Sequence, residues 1–283
     1  MCPTELAEVS FFLRALNRRG FQTSHFFIMT YCLGIITNTG LVIAADSRTN
    51  AGVDHISTYR KLFDFSKSGD RVIMLCMAGN LSITQGIVSE LDRDLKTQED
   101  INLHTLPSMY EVARYIGVKL RKIQEVDEKW LKKDGIEPQC SMLLGGQIKG
   151  QDPALFLIYS QGNFIHATRE TPFLQIGETK YGKPILDRTL SFHTHLEAAA
   201  KCALLSIDST MKSNISVGPP INLVMYEKDT FEIKNWLKLR LGDPYLAQIR
   251  KVWEECLKQG FNEIPNINWQ HRGSDSSEDI LID

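Results

Sequence analysis

The feature that most constrains this chain is an apolar β-hairpin. Residues 30–37 (TYCLGIIT) and 41–47 (LVIAADS) are two β-branched, apolar runs joined at Asn38, Thr39 and Gly40, a strong hairpin signal. Partners in an antiparallel pair have residue numbers of constant sum, here about 76 to 78. Thr30 therefore lies opposite Asp46, Ser47 or Arg48, and a hydroxyl, a carboxylate and a guanidinium meet at one sheet end. Lys61, on the next β-like run over 59–65, returns to the same end if that strand pairs alongside.

Beyond the turn Lys67, Ser68, Gly69, Asp70, the pattern predicts a strand over 71–78 and helices over 80–95 and 107–126, with Pro107 suited to a first helical turn. A second strand set follows at 140–148 (CSMLLGGQI), 154–159 and 164–168. A helix over 196–211, strands over 221–226 and 231–233, and a helix over 244–258 complete the order. Two strand sets with their helices in this order fit an α+β, four-layer α-β-β-α sandwich better than a βαβ parallel sheet. One domain is expected over 30–272, with a Ser- and Asp-rich, acidic and disordered tail at 273–283.

Residues 1–29 stand apart as an extension. Leu6, Val9, Leu13 and Leu16 recur at helical intervals after Thr4, while Arg14, Arg18 and Arg19 make a poor secretory signal. Three readings stay open: a propeptide, a genuine N-terminal helix, or residues upstream of a start at Met29.

Composition excludes some classes of function. With 32 basic against 34 acidic residues, there is no domain-wide basic field for nucleic acid. No apolar run approaches the roughly 18 residues of a membrane span. Six cysteines without CxxC or metal-ligand spacing read as reduced, mostly buried thiols in a cytoplasmic protein. His193 and His195 read as a loop pair rather than a metal site, and no metal or other cofactor is expected. An N-terminal nucleophile at Cys2 would lack any strand or oxyanion element after it. Tyr59, Arg60 and Lys61 are too short a patch for nucleic acid, and Trp236, Trp253 and Trp269 read as packing or subunit contacts.

The cluster at the hairpin has a chemical purpose if Thr30 is the first residue. A free α-amine, with an ordinary pKa of about 7.7–8.0, can take the proton of its own hydroxyl, so one residue carries both nucleophile and base. A nearby Lys61 cation would hold the amine towards its neutral form, and Asp46 would keep Lys61 charged and oriented. The backbone N–H of Gly79, at a strand-to-helix junction, could serve a developing oxyanion. The plainer reading is a strand residue beside a solvated ion network.

The string from Thr30 to Phe65, TYCLGIITNTGLVIAADSRTNAGVDHISTYRKLFDF, resembles the start of a mature proteasome β subunit, and within that group the Anbu (ancestral β-subunit) branch. In this resemblance Thr30 stands at the N-terminal threonine, Asp46 at the catalytic acid and Lys61 at the lysine. Arg48 continues the acidic-x-Arg element and Ala78-Gly79 falls at the oxyanion glycine. Gly145-Gly146 and the stretches 176–182 and 213–218 resemble later blocks. Glu178 replaces the serine of the Gly-Ser-Gly element, Ser213 the aspartate of Asp-x-x-Ser-Gly, while Ser216 is kept. Met29 replaces the glycine that usually ends the propeptide, so either methionine removal or cleavage after Met29 would free Thr30.

The resemblance implies a threonine-type peptidase or amide hydrolase acting without a cofactor on a peptide or amide. It also implies a homo-oligomer, as a head-to-tail ring or an open helix. Two alternatives remain: a non-catalytic structural subunit with Thr30 internal, and a narrow amidase for a modified peptide or isopeptide linkage. On the last helix, Tyr245, Leu246, Ile249, Val252, Trp253 and Leu257 share one face that needs a cover.

Overall fold

The computed structural model describes residues 30–50, 56–267 and 269. The extension with its Met29 boundary, and the tail at 273–283, lie outside the described residues. Strands β1 (Tyr31–Thr37) and β2 (Gly40–Ala45) form the predicted hairpin, and its register, Cys32↔Ala45 to Thr37↔Gly40, falls in the middle of the expected interval. Every residue of both strands is buried. An antiparallel strand with one face to water would alternate in polarity; these two do not, because both of their faces are covered.

One cover is a second sheet. Strands β5 (Leu62–Asp64), β6 (Arg71–Gly79), β7 (Cys140–Ile148), β8 (Ala154–Ile158) and β9 (Phe164–His166) pair in that order. In the first sheet β10 (Phe173–Gly177) precedes β1 and β2, and β11 (Ile221–Glu227) and β12 (Asn235–Leu239) follow them. Strands β3 (Arg48–Asn50) and β4 (Ile56–Thr58) make a separate short ribbon. Ile43, Leu62, Met74, Cys76, Leu143, Leu155 and Val224 fill the space between the sheets. Gly34 and Gly145 let the layers close there, since ideal Cβ atoms on them would stand 2.6 Å from Leu155 Cδ1 and 2.5 Å from Ile43 Cδ1.

Helices α1 (Leu81–Thr97) and α2 (Met109–Lys133) cover the outer face of the second sheet, burying Ile83, Ile87, Leu91, Val112, Ile116 and Leu120 against Ile73 and Leu75. Asn80 caps α1, accepting from the N–H groups of Ser82 and Ile83, and Ser108 caps α2 through Glu111 N–H. On the other side α4 (Leu196–Ser213) packs on β1, β2 and β11, with α3 (Lys183–Thr189) against it. The result is the expected α+β four-layer sandwich. Gln147, with no exposed surface, joins the two sheets. Its oxygen accepts from Tyr226 Oη at 2.6 Å and Asp229 N at 2.9 Å, and its amide donates to Gln151 O at 2.7 Å.

The chain divides by contacts into two compact units, one ending at Leu241 and one beginning at Gly242; the expected domain over 30–272 spans both. The second holds α5 (Pro244–Glu263), capped by Asp243, which accepts from Tyr245 N–H at 2.9 Å.

Several expectations needed correction. No strand forms over 231–233, because Asp229 and Phe231 take left-handed φ values of 65° and 50° and turn the chain; the last strand is β12 instead. Strands β3, β4 and β10 and helix α3 had no counterpart in the sequence reading, and α2 continues past its expected end at 126 to Lys133.

Two alanine substitutions should move stability in opposite directions. At Gly146 an ideal Cβ would stand 2.1 Å from the backbone oxygen of Val72, so Gly146→Ala should cost about 2 kcal/mol or more. At Gly86, inside α1, the nearest heavy atom would be Ile123 Cγ2 at 3.4 Å, so Gly86→Ala should gain about 0.5–1 kcal/mol from helix propensity. Chemical denaturation of both variants checks the pair.

Candidate active site

Thr30 stands at the mouth of β1, only 6% exposed, and its carbonyl accepts from Glu178 N–H at 2.8 Å. Its strand is interior, with β10 on one side and β2 on the other. The next residue is anchored as well: Tyr31 Oη lies 2.7 Å from Ser206 Oγ and accepts from Gln175 Nε2. Burial pushes the Tyr31 hydroxyl up to about 12, so it stays neutral.

Just past β2, the Asp46 carboxylate has no exposed surface and receives four donors. Oδ1 accepts from Lys61 Nζ at 2.8 Å and Tyr31 N at 2.9 Å, and Oδ2 from Arg48 N at 3.1 Å and Gly218 N at 3.2 Å. Burial pushes this carboxyl above its ordinary value, and the Lys61 ammonium and the N–H groups of Tyr31 and Gly218 pull the other way. Lys61 Nζ also donates to Arg48 O at 2.5 Å. The route of Lys61 differs from expectation. It immediately precedes β5, which pairs with β6 and not with the hairpin, so Lys61 reaches Asp46 from the facing sheet.

A pocket above this pair is lined by Thr30, Tyr59, Arg60, Lys61, Met77, Ala78, Gly79, Leu81 and Thr84. Gly79 ends β6 with φ 120°, and an ideal Cβ on it would stand 2.3 Å from Gln139 O, so glycine is required there. Because Asn80 caps α1 directly after it, the N-terminal, electropositive end of a helix adjoins the pocket. Arg48 lies outside that lining. Its guanidinium donates to Ile215 O, and an ideal Cβ on Gly218 would stand 2.4 Å from its Cζ.

The supporting residues are arranged differently from the sequence reading. Ser213 is exposed at the last turn of α4. Its neighbour Asn214 holds the inner position: Nδ2 donates to Glu178 Oε2 at 3.2 Å, and Oδ1 accepts from Ser216 N at 3.0 Å and from the Ser216 hydroxyl. The sequence reading passed over Asn214, although an asparagine ending a helix two residues before a serine is an Asx-turn signature. It also missed Tyr59, Arg60, Met77, Leu81 and Thr84. These come from two separate segments, and no spacing rule gathers them. Arg60 donates to Leu62 O at 2.7 Å and lies 5.0 Å from the Phe63 ring centre.

Among the described residues no group of three or more histidine, cysteine, aspartate or glutamate side chains is placed to hold a metal ion, and no helix is long and apolar enough to cross a membrane. The described cysteines are free thiols.

The sequence pattern of proteasome subunits matches residues 30–225. A proteasome subunit beta of Haloquadratum walsbyi is 22% identical over 209 residues, which cover 72% of this chain and 76% of that protein. Solved structures of Anbu (ancestral beta-subunit) are much closer in sequence. The protein from Yersinia bercovieri is 47% identical with a TM-score of 0.79, covering 84% of this chain and 99% of that one. The helical assembly of the Anbu complex from Pseudomonas aeruginosa is 42% identical with a TM-score of 0.81, covering 86% of this chain and 100% of that one. Anbu from a Hyphomicrobium strain is 44% identical with a TM-score of 0.78, covering 84% and 100%. Matched over most of its length by both comparisons, this chain belongs to the proteasome-subunit family, in its Anbu branch.

Proposed function

We propose that this chain is a threonine-type peptidase or amide hydrolase, active once Thr30 is its first residue. The observation that carries the reading is a buried lysine–aspartate pair, 2.8 Å between charged atoms, beneath the pocket that Thr30 lines. A structural subunit needs no such pair, because replacing buried charges with apolar groups is often neutral or stabilising. In the proposed reaction the Thr30 hydroxyl oxygen attacks the substrate carbonyl while the α-amine takes its proton. The Gly79 N–H receives the developing oxyanion. The amine then passes the proton to the leaving nitrogen, and water releases the acyl group from the Thr30 ester. The Lys61 cation favours the neutral amine and the anionic hydroxyl, and Asp46 holds it there. Arg48 supports both through its backbone.

The P. aeruginosa relative forms a helical assembly, which supports a homo-oligomer here. The apolar face of α5 supports it too, since Tyr245, Val252 and Leu257 are 39%, 50% and 54% exposed. The free cysteines among the described residues favour the cytoplasm.

Intact-mass measurement on active protein should return a chain beginning at Thr30; an active preparation that fully retains the extension would refute the mechanism. Lys61→Met should lower the rate of labelling by threonine-directed epoxyketones or β-lactones at least about 100-fold. The same variant strips the cation from a buried carboxylate, pushing Asp46 further up. The folded state then holds a proton that the unfolded state releases, so stability of Lys61→Met should fall as pH rises above about 4. Labelling at the wild-type rate would remove Lys61 from the mechanism. In sedimentation at micromolar concentration the full chain should run as a multi-subunit particle, and a chain lacking residues 243–283 as a smaller one. A wild-type monomer would contradict the assembly.

A further inference from the structure

The geometry points to Asn214 as a positioning residue of the Thr30 site, whose carboxamide fixes both the Glu178 carboxylate and the direction of the Ser216 hydroxyl proton. This inference rests on the threonine-nucleophile reading above.

The orientation of the Asn214 amide follows from its partners. Glu178 Oε2, 3.2 Å from Nδ2, is an acceptor, and Ser216 N–H, 3.0 Å from Oδ1, can only donate. Turning the amide over would set oxygen against oxygen and N–H against N–H, so one orientation is allowed. The Ser216 hydroxyl then commits its single proton to Asn214 Oδ1 and towards any other group is an acceptor.

Both ends of the relay belong to segments that hold the site. Glu178 N–H is bonded to Thr30 O at 2.8 Å, and Gly218, two residues after Ser216, donates to Asp46 Oδ2 at 3.2 Å. An acceptor-only hydroxyl suits a free α-amine, which must direct an N–H at a neighbour and keep its lone pair for the Thr30 hydroxyl proton. The charged groups of this end of the sheet include Asp46, Lys61, Arg48, Arg60, Glu178 and Lys180. Among the described residues Glu178 has no cation across a short salt bridge; its carboxylate accepts from Lys180 N at 3.4 Å at one oxygen and from the Asn214 amide at the other. A merely structural role for Asn214, ending α4 and shaping the loop, is the competing account.

The test follows the pH profile of β-lactone labelling in wild type, in Asn214→Asp and in Asn214→Asp with Glu178→Gln, after peptide mapping of the modified residue in wild type. Asn214→Asp faces one carboxylate with another and adds negative charge to the segment bonded to this end of β1, so its acid limb should move to higher pH by about half a unit or more. The double variant restores the N–H···O bond with donor and acceptor exchanged, and its acid limb should return to the wild-type position. A purely structural Asn214 would lower stability without moving the limb. An unmoved limb in folded Asn214→Asp overturns the inference, as does a double variant that keeps the displaced limb or folds no better than the single one. If Asn214→Asp alone does not fold, the double variant decides by recovering, or not recovering, both fold and profile. Failure of wild type to be labelled at Thr30 would instead sink the threonine reading, and this inference with it.

Discussion

Everything at the open end of this sandwich depends on how one carboxylate is kept charged out of water. Burying an ion costs several kcal/mol even after relaxation, so Asp46 is tolerable only with its lone pairs occupied. The four donors come from four places in the chain: the start of β1, the start of β3, the loop before β11, and the residue before β5. A single group therefore ties the first sheet, the second sheet and the 214–218 loop together. Lysine suits the fourth place, because a compact ammonium on a flexible stem can cross between layers where a planar guanidinium would need two parallel acceptors.

The part of this arrangement that is local in sequence was legible. Hairpin register follows from the turn and the two-residue repeat, so the position of Asp46 beside the start of β1 could be read from the sequence alone. The lysine was legible only as a residue type, since two β-like runs in succession do not reveal which sheet each joins. Short elements were lost for a related reason. The run FLQIG of β10 is five residues long and ends in glycine, and the three-residue strands β3 and β4 offer no periodicity at all. β12 was displaced because Phe231 and Ile233 look like strand residues, and nothing in their chemistry announces a left-handed turn. Asn214 was hidden behind its neighbour: the family comparison points at Ser213, and one step along a helix end turns a side chain from solvent to the site.

That one-residue shift bears on how this chain departs from the usual proteasome pattern. Glu178 and Ser213 look like separate losses when each is matched to its counterpart. In three dimensions the glutamate has a partner, and that partner is the adjacent asparagine. Matching each position separately does not reveal that the two side chains are hydrogen-bonded partners in this chain.

Chain ends ordinarily fray, because nothing holds them on one side. Thr30 lies on a strand bonded along both edges, to β10 through Glu178 and Gly177 and to β2 through Asp46. Releasing it requires opening two ladders at once, deep within the cooperative unit. The Tyr31 amide at this end should therefore rank among the slower-exchanging in the molecule, and heat or denaturant should free the start of β1 only by melting the sandwich.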